Sequence, residues 1–168
     1  TVKVLHPNAK TVFIGPCMAK KAEIKEPDLK GAIDYVLTYE ELRDLFTTTD
    51  IDLEHLEEDN VPHASRAGIR YAYAGGVAEA VAATVKRLDP NRKIEVKVRR
   101  ADSVPDCKAM IDSILKGNRE GNFFEGMGCI GGCVGGPRAI IKKEDGKANV
   151  QAYGKQAFSR TPMENPYV

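Results

Sequence analysis

The 168-residue sequence has no tryptophan, only four cysteines and three histidines, and no repeat or low-complexity tract. Four cysteines at positions 17, 107, 129 and 133 are too few and too unevenly spaced to form a disulfide framework for a chain of this length. No stretch approaches the ~20 consecutive apolar residues that span a bilayer. The opening TVKVLHPNAK also lacks the charged-then-apolar layout of a secretory leader. These shortages predict a cytoplasmic protein with no membrane partner. Charge of either sign is in balance, with 25 Lys and Arg against 24 Asp and Glu. At a formal charge of +1 no strong field recruits nucleic acid or an anionic surface.

What is present describes a folded domain. The hydrophobic fraction is 42%, and residues 1–168 are expected to form a single domain able to bury a real core without disulfides or metal. The cysteines are therefore available for metal or redox chemistry. Cys107 is the exception, read as a small buried hydrophobe.

Hydrophobic periodicity and punctuation predict an α/β fold. Residues 11–15 (TVFIG) form a β-branched run stopped by Gly15 and Pro16, which reads as a buried strand ending in a sharp turn. Residues 32–37 (AIDYVL) read as a second strand. Thr38, with Glu41 three residues on, makes a capping box that opens a helix over 39–46. Residues 47–68 are polar and acidic, a surface excursion with a short helix over 53–58; His55 and His63 there read as solvated or local hydrogen-bond partners. Gly75 and Gly76 precede a small-residue helix over 77–88. They lack the spacing of a phosphate loop, so close packing explains them better. The alternation in 93–100 (KIEVKVRR) predicts a strand. Ser103 caps a helix reaching 116 that Gly117 closes, and residues 137–143 begin another helix. Residues 151–168 read as an extended tail. The rhythm predicts a mainly parallel sheet of about four strands with helices on both faces.

In such sheets functional groups gather beyond the C-terminal strand ends, and two cysteine segments fall there. The first is Gly15-Pro16-Cys17-Met18-Ala19-Lys20-Lys21-Ala22-Glu23. The second runs from Glu125 through Met127, Cys129 and Cys133 to Pro137 and is dense in glycine. Thiolates favour iron–sulfur clusters, zinc or copper(I). A C-x-x-x-C pair on a glycine-rich turn can aim both sulfurs at one site, with backbone amides close by as donors. Three thiolates are one short of a cubane set, and a zinc site would need a histidine to fold back.

The first segment resembles the P-C-x-x-K-K-x-E motif of the iron-only (FeFe) hydrogenase catalytic domain, and the second its E-x-M-x-C-x-x-x-C motif. Further similarity lies in Asp34-Tyr35-Val36-Leu37-Thr38 with Glu41-Leu42, in Gly75-Gly76-Val77-Ala78-Glu79-Ala80 and in Glu164-Asn165-Pro166, so it covers nearly the whole chain. The resemblance implies one lobe of a two-lobed catalytic domain around an H-cluster, a four-iron four-sulfur cubane joined to a two-iron subsite. It implies that Cys17 and Cys129 bind the cubane and that Cys133 is the thiolate shared with the subsite. Lys20 would donate to a cyanide ligand, Met127 would pack against the two-iron subsite, and Glu23 and Glu125 would support the motif backbones.

By the same resemblance the reaction interconverts dihydrogen with protons and electrons. The implied partners are an N-terminal lobe bearing T-S-C-C-P-x-W and a ferredoxin-like carrier or N-terminal cluster modules; neither is in this sequence, so a lone fragment is expected to be inactive and without the H-cluster. Gly15, and the Val134-Gly135-Gly136-Pro137-Arg138 ending, depart from the commoner pattern and point to a divergent, less active or sensory branch. Two other readings are a cubane-binding relative of the cytosolic iron–sulfur assembly factors and a structural zinc or interaction domain.

Overall fold

The computed structural model describes residues 2–57 and 63–166. The chain packs as two compact units, one of residues Thr1–Glu58 with Gly136–Ile140 and the other of Asp59–Gly135 with Ile141–Val168. Among the described residues no helix is long and apolar enough to cross a membrane.

The first unit contains helix α1 (Val2–Leu5), strand β1 (Val12–Ile14), helix α2 (Ala19–Glu23), strand β2 (Tyr35–Leu37) and helix α3 (Tyr39–Thr48). β1 and β2 pair in parallel, Phe13 opposite Val36, and the Gly15 amide extends the ladder to the Leu37 carbonyl. Asp34 starts this pairing. Its carboxylate accepts from the Thr11 amide at 2.7 Å and from Lys3 Nζ at 2.9 Å. The capping box that opens α3 is present in full: the Glu41 amide donates to Thr38 Oγ1 at 3.2 Å, and the Thr38 amide to Glu41 Oε2 at 2.8 Å.

Asp34 and Glu41 define an acid limit. The hydrogen bond from Lys3, then that from the Thr11 amide, holds the Asp34 pKa at about 2; Lys21 and then the Thr38 amide hold Glu41 at about 2. Both values lie below the ordinary 3.8 and 4.5. The stabilisation is therefore complete above the unfolded-state values and drains as pH falls toward about 2. We expect the urea midpoint to drop on acidification across that window. In Lys21→Met the Glu41 share of the slope should shrink to the part the Thr38 capping bonds hold, and an unchanged slope would refute the pairing.

The second unit contains α4 (Arg66–Ile69), α5 (Gly76–Leu88), β3 (Val98–Ala101), α6 (Val104–Leu115), β4 (Phe123–Gly126) and α7 (Lys143–Lys155). β3 and β4 are again parallel, Val98 opposite Phe123 and Ala101 opposite Gly126. Ser103 Oγ accepts from the Asp106 amide to cap α6, and Gly117 ends it with φ +86.

Among the described residues four parallel strands lie among helices, an α/β arrangement, and they divide into two pairs, one in each unit. Several boundaries differ from those expected. The alternating stretch 93–100 is a strand only from Val98; before it the Asn122 side chain takes over the ladder, accepting from the Lys97 amide at 2.8 Å and donating to the Glu95 carbonyl at 2.9 Å. The helix expected from 137 starts at Lys143, since the Arg138 amide is engaged by the Pro16 carbonyl and its guanidinium by Glu40. α7 also takes in the first five residues of the expected tail. The excursion helix shrinks to one 3-10 turn, Leu53–His55, and its end at 58 lies outside the described residues.

The core is thinner than expected. Buried apolar side chains among the described residues are Val36, Ala67, Tyr73, Ala78, Ala80 and Ala101, while Leu115 is 79% and Phe158 90% exposed. Two small units on three- and four-residue strands cannot enclose large side chains as one continuous sheet would.

Candidate metal centre

The sequence-predicted residues fall into two groups, one in each unit. In the first unit, β1 ends at Ile14 and the chain turns through buried Gly15 and Pro16, which leaves Cys17 half-buried immediately before α2. The tightness has a steric cause: a Cβ at Gly15 would lie 2.9 Å from the Phe13 ring. One turn on, Lys20 and Glu23 form an ion pair. Both line a cavity of about 190 Å³ with Phe13, Ile24 and Val36. Lys21 does something different. Its Nζ reaches both oxygens of Glu41 at 2.6 and 2.8 Å, tying the segment after Cys17 to the capping box of α3.

In the second unit the Met127 amide donates to the Ala101 carbonyl at 2.8 Å, so the strand pairing continues almost to Cys129. The turn between the cysteines is closed by the Gly132 amide donating to the Cys129 carbonyl at 2.9 Å. Gly131 and Gly132 have φ +87 and +85, a left-handed conformation that side chains rarely tolerate. Gly131 is held at both polar groups: its amide donates to Asp102 Oδ2 at 2.9 Å, and its carbonyl accepts from the Ala74 amide at 2.9 Å. Cys129 is half-buried, and Cys133 is exposed at the start of a 3-10 turn.

Glu125 lies beneath this turn, 5% exposed, with one carboxylate oxygen 2.6 Å from the Gly75 amide and the other 2.8 Å from the Ala78 amide. An anion at a helix N-terminus satisfies orphan donors and complements the dipole. It ties the start of α5 to β4. Glu125→Ala would leave two buried amides without an acceptor, and we expect a loss of about 2–4 kcal/mol by chemical denaturation, with Glu125→Gln losing less. Equal stability of all three proteins would refute this anchoring role.

Cys107 is half-buried rather than buried; its Sγ lies 3.5 Å from the Met127 carbonyl and 3.7 Å from that of Ala101. It packs beneath the β3–β4 ends. His55 Nδ1 is 2.8 Å from Asp52 Oδ2, a local partner as read from sequence, and the His63 carbonyl accepts from Asn165. Gly76 has the close approach expected of it, since a Cβ there would sit 1.7 Å from the Arg70 carbonyl oxygen. Sequence reasoning missed Asp102 and Lys21. The signal for Asp102 was its place just past a strand end; nothing in sequence separated Lys21 from Lys20. Among the described residues no three His, Cys, Asp or Glu side chains form a group that would hold a metal ion by themselves.

A model of the family described as iron only hydrogenase large subunit, C-terminal domain, matches residues 2–137. The chain belongs to this family. Among curated relatives of the hydrogenase family it is 31% identical over 164 residues to the periplasmic Fe hydrogenase large subunit of Nitratidesulfovibrio vulgaris, covering 78% of this chain and 39% of that protein. It is 27% identical over 161 residues to iron hydrogenase 1 of Clostridium pasteurianum, covering 77% and 28%. The chain thus spans well under half the length of these two relatives. A solved FeFe-hydrogenase from Chlamydomonas reinhardtii has the same fold at a TM-score of 0.66 and 20% identity, covering 94% of this chain and 56% of that one. A second, described for oxygen inactivation through its H cluster 2Fe subcluster, also superposes at 0.66, with 19% identity, 94% and 55% coverage.

The donor chemistry fits an iron–sulfur group. Cys129 and Cys133 lie four residues apart on a turn whose left-handed glycines carry no side chain, and soft thiolates are the ligands that hold such clusters.

Proposed function

We propose that this chain supplies part of the H-cluster site of an iron-only hydrogenase, a protein that reversibly interconverts dihydrogen with two protons and two electrons. The observation that carries the reading is the Cys129–Cys133 turn, closed by two left-handed glycines and pinned at both polar groups of Gly131. A turn so constrained presents its two cysteines in a set geometry without help from a ligand. Cys129 and Cys17 would hold the cubane and Cys133 would be shared between cubane and two-iron subsite. Three thiolates leave one cubane position to a segment outside this chain. The bound group would supply the redox chemistry.

This chain's own residues prepare the setting. Lys20 offers an ammonium whose carboxylate partner among the described residues is Glu23, half-exposed and able to release it to an anionic cyanide ligand. Met127 offers a polarizable side chain without a competing proton. Glu125 and Asp102 hold the backbone of the second motif, and Lys21 with Glu41 holds that of the first. The surrounding whole protein would add the lobe bearing the remaining ligand and the modules or carrier that deliver electrons. Within the second unit, exposed Leu115 and Phe158 are apolar side chains suited to burial by further parts of the protein.

The test is to produce the whole protein with its cluster-maturation machinery, record infrared spectra and assay hydrogen uptake. Carbonyl and cyanide bands with turnover support the reading; a protein that carries zinc, or iron and sulfide without those bands, overturns it. Bands accompanied by very slow turnover would favour the sensory variant, to which Gly15 and the Val134-Gly135-Gly136-Pro137 ending already point.

A further inference from the structure

A second cavity, of about 320 Å³, lies wholly within the second unit and shares none of its lining with the cysteine motifs. Its walls carry Arg66, Arg70 and Arg160 against a single carboxylate, Glu79, and its floor is Ala80 and Ala83 of α5. Glu79 is already paired, 3.2 Å from the Arg70 guanidinium. The positive charge of Arg66 and Arg160 is thus left without a carboxylate in the cavity. The walls are joined by backbone: the Arg66 amide donates to the Ser159 carbonyl at 2.9 Å and the Ala67 amide to the Arg160 carbonyl at 3.1 Å. Glu164, a further acid on this segment, accepts from the Arg160 amide and pairs with Arg87, and its charge also offsets part of that of Arg160.

Two polar atoms on this lining are orphans. Arg66 Nε and Thr161 Oγ1 are buried without a hydrogen-bond partner among the described residues, and Thr161 as a whole is only 8% exposed. A buried donor left unmade costs about 1–3 kcal/mol, and such groups in native structures usually have an ion or water as partner. Guanidinium groups in excess of carboxylates, a hydroxyl and alanines that leave room describe an oxyanion site. We infer that this cavity binds the phosphate group of a small phosphate monoester or inorganic phosphate, through Arg66, Arg160 and Thr161. A tetrahedral oxyanion, with several acceptor oxygens, can meet two guanidiniums and a hydroxyl at once, which a single carboxylate does less well. The space exceeds what inorganic phosphate needs, so a monoester would fit.

The experiment titrates the isotopically labelled whole chain at constant ionic strength with inorganic phosphate, with glycerol phosphate and with acetate, following nitrogen–proton NMR shifts. The expected result is saturable movement of the Arg66 Nε–H and the Thr161 amide with either phosphate and not with acetate. The stronger of the two phosphate arms identifies the source. Arg66→Gln and Arg160→Gln should each weaken phosphate affinity about tenfold. Linear shifts scattered over surface lysines would mean screening alone and overturn the proposal, as would unchanged affinity in both variants. If a substitution prevents folding, the shift map of the unaltered chain decides by itself.

Discussion

Cys133→Ser in the matured whole protein is expected to reduce hydrogen turnover by more than about a hundredfold, beyond the 10–100-fold that loss of a supporting partner around a metal typically costs. Serine keeps the size and backbone of the turn but replaces a soft thiolate with a hard hydroxyl that does not deprotonate near neutral pH. The glycine conformations and the Asp102 contact are made by other residues, so the turn should stay folded without cluster, its stability measured beside that of the unaltered protein. This separates ligation from folding. Cys107→Ser is the control, because a hydroxyl there can donate to the same Ala101 and Met127 carbonyls. Carbonyl and cyanide bands should survive in Cys107→Ser and vanish in Cys133→Ser. Full activity in the Cys133→Ser protein would remove the H-cluster assignment of that position.

Gly132→Ala should produce a large loss of stability, about 2–5 kcal/mol. A Cβ at this position would fall 2.5 Å from the Ala74 nitrogen and 2.8 and 2.9 Å from Tyr73 backbone atoms. None of these is the end of a flexible side chain. The left-handed φ of +85 adds about 1–2 kcal/mol for any residue with a Cβ, and displacing packed backbone adds about 1–3 kcal/mol. Gly128→Ala, four positions away, is the contrast: nothing lies within 4 Å of its Cβ. Its effect on denaturant midpoint should stay within about 0.5 kcal/mol. Equal losses in the two proteins would show that the turn is not held as described.

Much of the candidate site was readable because its signals are local. Gly15-Pro16 ending a β-branched run placed Cys17 at a strand end, and Thr38 with Glu41 announced a capped helix that the hydrogen bonds reproduce. Glu125 was identified only as a supporting residue. That its two oxygens cap a helix 47 and 50 residues earlier in the chain is a long-range fact with no local signature. The different duties of Lys20 and Lys21 were also hidden, since adjacent lysines are alike until one of them meets Glu41. The strand at 98–101 was overextended in the sequence reading because alternation records which face is apolar and says nothing of where the partner strand begins.

Composition, punctuation and cysteine spacing by themselves determined the α/β class, the capped helices and the two segments able to carry thiolate chemistry, because each depends on residues within one or two turns. The tertiary structure alone decided that four strands pair as two separate ladders, that Asp102 and Ala74 grip Gly131 from opposite sides, and that Arg66 and Arg160 line one cavity. Those outcomes depend on which distant backbone groups satisfy one another, and the free energy of such pairings has no counterpart in the order of the residues.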